Sequence, residues 1–275
     1  MSYTDFRKIV WVHYKKHGRH TLPWRQTRDP YEILVSEMML QQTQVERVVP
    51  FYKQFLKRFP TPQALARAPL SAVLKVWQGL GYNRRAKMLH QAAKEIMKRG
   101  MPQNAAAFEK LSGAGPYTAR AVAAFAFSHN VVLVETNTRT AVIHHFFNAS
   151  AGMIYHTNAQ KVSDSEIERI LKHALPKGRA CEWYWALMDY GAHLKGEGVR
   201  LNKKSRRYIK QSKFTGSLRE ARGAIVRALT KRRQGKTTLE NLLGAARRLQ
   251  VKRALAALTE EGLIQKRSKM FALAR

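Results

Sequence analysis

Apolar residues recur every three or four positions through most of the chain. Breaks of glycine, proline or asparagine cut that rhythm into helix-sized pieces. The first covers 31–44, where Ile33, Leu34, Met38 and Val45 stand at helical spacing and Pro30 lies just ahead. Others are predicted over 49–59, closed by Pro60, over 62–67, over 71–77, stopped by Gly79, and over 84–99, ended by Gly100. Residues 105–111 and 118–127 read as helices flanking the turn Ser112-Gly113-Ala114-Gly115-Pro116. The apolar stretch 131–134 has no visible partner strand and reads as an extended approach to the next helix. Helices over 164–175 and 182–193 complete this part. Residues 195–213 then break the pattern with Gly, Ser and a run of basic side chains, either a segment laid on phosphate or a solvated tail. Beyond 214, helices are predicted over 218–229, 239–243 and 251–259, followed by a basic hairpin over 262–273. That order suggests a winged-helix-like module, or a three-helix tail packed on the rest. The fold class is therefore all-α.

Composition narrows the partner. With 45% hydrophobic residues among 275, a packed core is available. The 50 Lys and Arg against 18 Asp and Glu give a formal charge of +32. A long polyanion is the simplest partner for such a chain, because each cation near a phosphate releases condensed counterions. The rival reading is adaptation to an acidic or salty interior. Cys181 is the only cysteine, which leaves no internal disulfide and no cysteine-ligated metal cluster. The first twenty residues are amphipathic and basic and lack a continuous apolar signal core. The longest apolar run, around 121–127, is too short to span a bilayer. The expected setting is the cytoplasm or nucleoid, with no membrane, and a self-repelling basic surface points to a monomer.

Four places could carry chemistry. In Leu111-Ser112-Gly113-Ala114-Gly115-Pro116-Tyr117-Thr118-Ala119, two glycines permit positive φ and a close backbone approach, and the helix that follows offers its amides to a phosphate. This is a helix–hairpin–helix, although a GxG between helices also serves as an ordinary tight turn. Gly79-Leu80-Gly81-Tyr82-Asn83 repeats the device with an aromatic at its tip, suited to wedging between bases or to closing a helical turn from the core. Glu37 sits among apolar neighbours in Val35-Ser36-Glu37-Met38-Met39-Leu40, as a buried general acid or as a surface residue on a polar face. Glu135 opens Thr136-Asn137-Thr138-Arg139, where amides and the helix dipole would hold it ionised, or where it simply caps the helix. A protonated and a charged carboxylate are the pair that glycosidic cleavage needs.

The stretches Leu22-Pro23-Trp24-Arg25, Ser36 to Val45, Gly79 to Tyr82 and Gly113 to Ala119 resemble the helix–hairpin–helix DNA glycosylase superfamily, in its adenine DNA glycosylase branch. The resemblance covers roughly the first 195 residues. It implies two helical lobes: one made of 1–20 with 131–213, the other of 21–130 with the hairpin at 105–127. Residues 214–275 form the small winged-helix-like module. It implies double-stranded DNA carrying a mispaired or damaged base as partner and substrate. Glu37 matches the acid that protonates the departing adenine. Glu135 falls where the family has a catalytic Asp, and Asn137 matches a residue that steadies the reaction centre. Gln41, Gln42 and Tyr82 match residues that enter the duplex. Gly113 and Gly115 match the phosphate-binding hairpin, and Thr118 and Arg25, the latter in the shared LPWR string, are counted with the DNA-binding set. Tyr117 stands where lyase-competent relatives carry a nucleophilic Lys, and a phenol forms no Schiff base, so cleavage should be hydrolytic and monofunctional.

Three departures stand out. Glu135 is one methylene longer than Asp. The four cysteines of the family's iron–sulfur cluster are absent, so no cofactor is expected, and Lys203, Lys204, Arg206 and Arg207 would take over DNA contacts there. Residues 214–275 do not resemble the family's 8-oxoguanine-sensing domain. The alternatives are therefore the same chemistry on another base (thymine or uracil opposite guanine, hypoxanthine, an alkylated base) or a non-catalytic DNA-binding protein.

Overall fold

The computed structural model describes residues 1–148, 161–210 and 213–275. Its helices are α1 (Tyr3–His17), α2 (Pro30–Leu40), α3 (Val45–Arg58), α4 (Pro62–Arg67), α5 (Leu70–Trp77), α6 (Arg84–Arg99), α7 (Ala105–Phe108), α8 (Pro116–Phe127), α9 (Thr136–Phe146), α10 (Asp164–Ala174), α11 (Ala180–Gly196), α12 (Leu218–Lys231), α13 (Lys236–Glu240) and α14 (Arg248–Glu260). Three short strands, β1 (Gln234–Gly235), β2 (Ile264–Arg267) and β3 (Met270–Leu273), lie near the C-terminus. Residues 131–134 form no strand. Among the described residues, no helix is long and apolar enough to cross a membrane.

The chain collects into two compact units. One comprises 1–33, 103–110 and 114–210; the other comprises 34–102, 111–113 and 211–275. Residues 105–127, assigned whole to one lobe from the sequence, are thus divided between them.

In the first unit α11 packs against α9 and α1, and α10 against α1 and α9. The centre is aromatic: Phe6 meets Phe146 and Trp183 edge-on, with ring centroids 5.2 and 6.0 Å apart. α11 approaches the start of α9 so closely that a Cβ on Gly191 would stand 2.1 Å from the Asn137 carbonyl oxygen. Residues 201–207 are not a solvated tail. The Val162 amide donates to the Lys204 carbonyl at 2.7 Å, the Arg206 amide donates to the Val162 carbonyl at 3.0 Å, and Ser205 is buried.

In the second unit α4 and α5 pack on α6, and α3 on α5. Two predicted boundaries move. The helix predicted over 31–44 ends at Leu40. The one predicted from 49 begins at Val45, with the exposed Pro50 inside it. Residues 218–273 have winged-helix topology. α12 packs on α14, and the antiparallel sheet runs β1-β3-β2, pairing Gln234 with Phe271 and Ile264 with Leu273. α12 and β3 also rest on α5, so the module shares this unit's core. The helix predicted over 239–243 is instead Lys236–Glu240. Its final residue buries a carboxylate near Lys236, Arg248 and Lys252, while Leu242 stays partly exposed.

Substituting Gly191→Ala should force α9 and α11 apart, lowering stability by about 1–3 kcal/mol and the melting temperature by several degrees. Gly196→Ala, in the same helix with no atom within 4 Å of the added methyl, should leave the melt unchanged or slightly raised. Equal melting of the two variants would contradict the close packing.

Candidate functional site

α2 has no polar face. Every residue from Ile33 to Met39 is buried, so Glu37, 7% exposed, is a carboxyl set in an apolar helix and not a surface residue. The helix stops because Arg85 of α6 takes over its last carbonyls. One guanidinium nitrogen, Nη1, donates to the carbonyls of Met38 (3.0 Å), Met39 (2.7 Å) and Gln41 (2.5 Å). The other, Nη2, donates to Thr43 Oγ1 at 3.0 Å and the Gly81 carbonyl at 3.2 Å. Backbone acceptors left over at a helix end normally need such a partner. Burial pulls the Arg85 pKa down to about 10, which leaves it charged at neutral pH.

Two turns meet on this arginine. Gln42 follows α2 with φ 56°, and Gly79, Gly81 and Tyr82 have φ 107°, 83° and 50°. The left-handed region is strained for Gln and Tyr, and such strain collects where function fixes the backbone. Trp77 Nε1 donates to the Gly81 carbonyl at 3.1 Å. Tyr82 is half-buried, not a core residue, and its ring lies 5.1 Å from the Arg85 guanidinium. Gln41, half-exposed, reaches the Gly113 carbonyl at 3.5 Å. Gly113 has φ 80°, and a Cβ there would meet Met88 and Met38 at 2.6 and 2.7 Å, so only glycine fits. Glu95 of α6 anchors the preceding residue, accepting from the Ser112 amide at 2.9 Å and its hydroxyl at 2.7 Å.

In the first unit, α8 begins at Gly115 with Pro116 in its first turn and no side-chain cap. Gly115 is extended (φ −68°) and has open space around it, so it supplies room for an approaching group, not the positive φ expected of it. Tyr117 is half-buried, and Thr118 is buried, so its hydroxyl is not the surface contact expected. Glu135 caps α9: Oε1 accepts from the Asn137 and Thr138 amides at 2.7 and 2.9 Å, and Thr138 Oγ1 returns the bond to the Glu135 backbone. The capping role is therefore real. Burial nevertheless pushes the Glu135 carboxyl upward from its ordinary value, outweighing the two amides and the charges of Lys195 and Arg139. The sequence reading counted only the ionising influences. Asn137 Oδ1 is buried without a hydrogen-bond partner. Lys203 and Lys204 are exposed, as are Arg206 and Arg207, the latter paired with Asp164 at 3.2 Å.

Arg25 is a correction. Expected among the DNA contacts, it is 9% exposed and donates to both oxygens of Asp189, at 2.7 and 2.9 Å, while Arg19 donates to the same carboxylate at 2.6 Å. Burial raises the Asp189 carboxyl, but Arg25 and Arg19 outweigh it and hold the group below its usual value. Asp189 lies in the apolar run Trp183 to Leu194, the same signal that marked Glu37, and the sequence reading passed over it. Arg85 and Lys195 were also missed; a basic residue inside an amphipathic helix reads as solvated until its partners are known.

The chain's one cysteine does not suit an iron–sulfur cluster. Cys181 is buried in α11 beside Arg28, and burial pushes its thiol up to about 11. Among the described residues, no three His, Cys, Asp or Glu side chains gather as metal ligands.

Residues 35–176, which carry Glu37, both glycine turns, the hairpin and Glu135, match the HhH-GPD superfamily of base excision DNA repair proteins, and the chain belongs to that superfamily. Among individual proteins it is similar to the adenine DNA glycosylase of Mycobacterium tuberculosis (strain ATCC 25618 / H37Rv), 38% identical over 196 residues that cover 69% of this chain and 60% of that one. It is also similar to the adenine DNA glycosylase of Mycolicibacterium smegmatis (strain ATCC 700084 / mc(2)155), 37% identical over 199 residues covering 70% and 63%. The chain thus spans about three fifths of the length of these relatives. A solved thermostable thymine-DNA glycosylase superposes with a TM-score of 0.58 at 26% identity, covering 74% of this chain and 97% of that one. An endonuclease III in complex with DNA shares the fold at a TM-score of 0.58 and 19% identity, over 75% of this chain and 96% of that one.

Removing the Asp189 carboxylate leaves Arg25 buried without its counter-charge. Asp189→Ala should lose about 3–5 kcal/mol in thermal or urea unfolding, and Arg25→Met added to it should recover part of the loss. A neutral single variant would show the pair to be energetically idle.

Proposed function

We propose that this protein is a monofunctional DNA glycosylase that extrudes a mispaired or damaged base from double-stranded DNA and hydrolyses its N-glycosidic bond, with adenine as the first choice of base. The observation that carries the reading is Glu37: a carboxyl buried in an apolar helix, one turn ahead of the half-exposed Gln41 and the exposed Gln42, within the family-matched segment. Burying a carboxyl without a chemical return is costly, and buried carboxyls are recurrent general acids. Glu37 delivers its proton to the departing base. The bond between the sugar's anomeric carbon and the base nitrogen breaks with its electron pair going to the base. The Glu135 carboxylate stabilises the cationic sugar, and water adds to that carbon and sheds a proton. Asn137 Oδ1, buried without a partner, is an acceptor suited to orienting that water. Tyr117 forms no imine with the sugar, so strand cleavage is left to other chemistry. Gln42 and Tyr82 fill the vacated stack. Gly113, Gly115 and the amides opening α8 hold phosphate, and Lys203, Lys204, Arg206 and Arg207 add to the charge on the backbone.

A second reading, thymine opposite guanine, rests on the likeness to the thymine-DNA glycosylase, which superposes at a TM-score of 0.58 and 26% identity.

A panel of duplexes with single mispairs and lesions, treated with alkali after incubation, separates the readings. Breaks at adenine support the first and breaks at thymine opposite guanine the second. Binding without breaks on any duplex overturns the enzymatic assignment. Breaks without alkali would overturn hydrolytic, monofunctional cleavage. Glu37→Gln should slow single-turnover cleavage about 10²–10⁴-fold with binding retained.

Because the folded-state pKa of Glu135 lies above the ordinary glutamate value of 4.5, its working anion is lost as pH falls through that raised value. The rate should therefore drop on acidification at a pH above 4.5, while Glu135→Gln, which carries no charge, should be slow at every pH. A wild-type rate that stays flat down to pH 4.5 would remove Glu135 from the mechanism.

A further inference from the structure

One cavity of the second unit is not formed by the family-matched segment alone. About 900 Å³ in volume, it is walled on one side by Gln42 and the Gly79–Tyr82 turn, and on the other by α12 and Phe214. Arg219 bridges the two walls: Nη1 donates to the Tyr82 hydroxyl at 2.7 Å, and the guanidinium lies 5.7 Å from the centre of the Tyr82 ring. Arg222 and Arg227 also face the cavity, and no Asp or Glu lines it. Gly223 keeps the α12 wall low, with open space where a side chain would project. α12 is held in this position through Glu261, just beyond the end of α14. Arg222 makes a two-pronged pair with Glu261 at 2.8 and 2.6 Å, and Lys87 of α6 donates to the Glu261 carbonyl.

We propose that α12 reads the base left unpaired when its partner is extruded, with Arg219 as the recognising side chain and guanine as the base it accepts best. This rests on the glycosylase reading above. If Gln42 and Tyr82 occupy the vacated stack, the groups touching them face the orphaned base and not the extruded one. A guanidinium offers a planar fork of donors and no acceptor. Guanine presents two acceptors, O6 and N7, on one edge, whereas cytosine presents an amino donor in the corresponding place. Phe214, 59% exposed at the cavity mouth, supplies a face for stacking an unpaired base. The winged-helix module thereby acts as part of the specificity apparatus through its first helix.

The test uses the full chain and duplexes carrying an uncleavable abasic analogue opposite G, A, C or T, with affinities measured by fluorescence anisotropy at one salt concentration. The wild type should prefer orphan guanine over orphan cytosine by about tenfold or more. Arg219→Ala should bring all four duplexes within about twofold of one another, and Arg219→Lys, which keeps the charge but loses the fork, should also flatten the preference. Arg227→Ala should weaken binding to all four alike, as a phosphate contact does. Retained guanine preference in both Arg219 variants overturns the proposal, and so does a wild type that binds all four equally. A wild type that binds none of the duplexes strikes the glycosylase reading itself, which the alkali panel detects separately.

Discussion

A single buried guanidinium organises the second unit. Arg85 ends α2 by donating to two of its carbonyls and to that of Gln41 just beyond, ties in Thr43 and Gly81, and lies over the Trp77 and Tyr82 rings. Without it, a helix end, a strained glutamine and a strained tyrosine would each need another source of order. With it, the spacing from Glu37 to Gln42 is fixed by helix geometry, and the Gly79–Tyr82 turn is fixed against the same point. Glycine supplies what the arginine cannot, since Gly113 alone clears Met38 and Met88 where the hairpin turn comes past. The first unit is organised differently, around the Asp189 carboxylate shared by Arg19 and Arg25, which pins the LPWR loop to α11.

Much of this was legible in the chain because local signals and tertiary demands agreed. The helix rhythm placed nearly every helix to within a few residues, and Gly79, Gly81 and Gly113 took the positive φ that their spacing announced. Glu37 was legible only as a candidate, since a surface position on a polar face explained it as well until packing buried it and every residue around it. Failures came where a long-range partner decided the outcome. Nothing near 41–44 says that Arg85, more than forty residues on, will stop α2 early. Arg25 carries the same formal charge as any surface arginine until Asp189 is known to lie beside it. Gly115 shows the limit of a motif, since neither its dihedral angle nor any neighbour within 4 Å demands glycine there.

The C-terminal residues extend the same lesson. Their helix–helix–helix–hairpin order was readable, but their attachment was not. α12 and β3 share core with α5, and Arg219 reaches the Tyr82 hydroxyl, so the module is built into the unit that carries Glu37. Basic residues spread through the whole sequence gave no hint of which ones would converge.

Position 135 carries a consequence for how this protein can vary. One oxygen of that side chain closes the first turn of α9, so an acceptor is retained there by folding, as a charge is by any chemistry it performs. Two independent pressures on one side chain leave a narrow corridor for drift: aspartate, which can also close a helix, answers both, an amide keeps the acceptor and loses the charge, and an alkyl group loses both. The longer acid found here is thus a variation that stays inside that corridor.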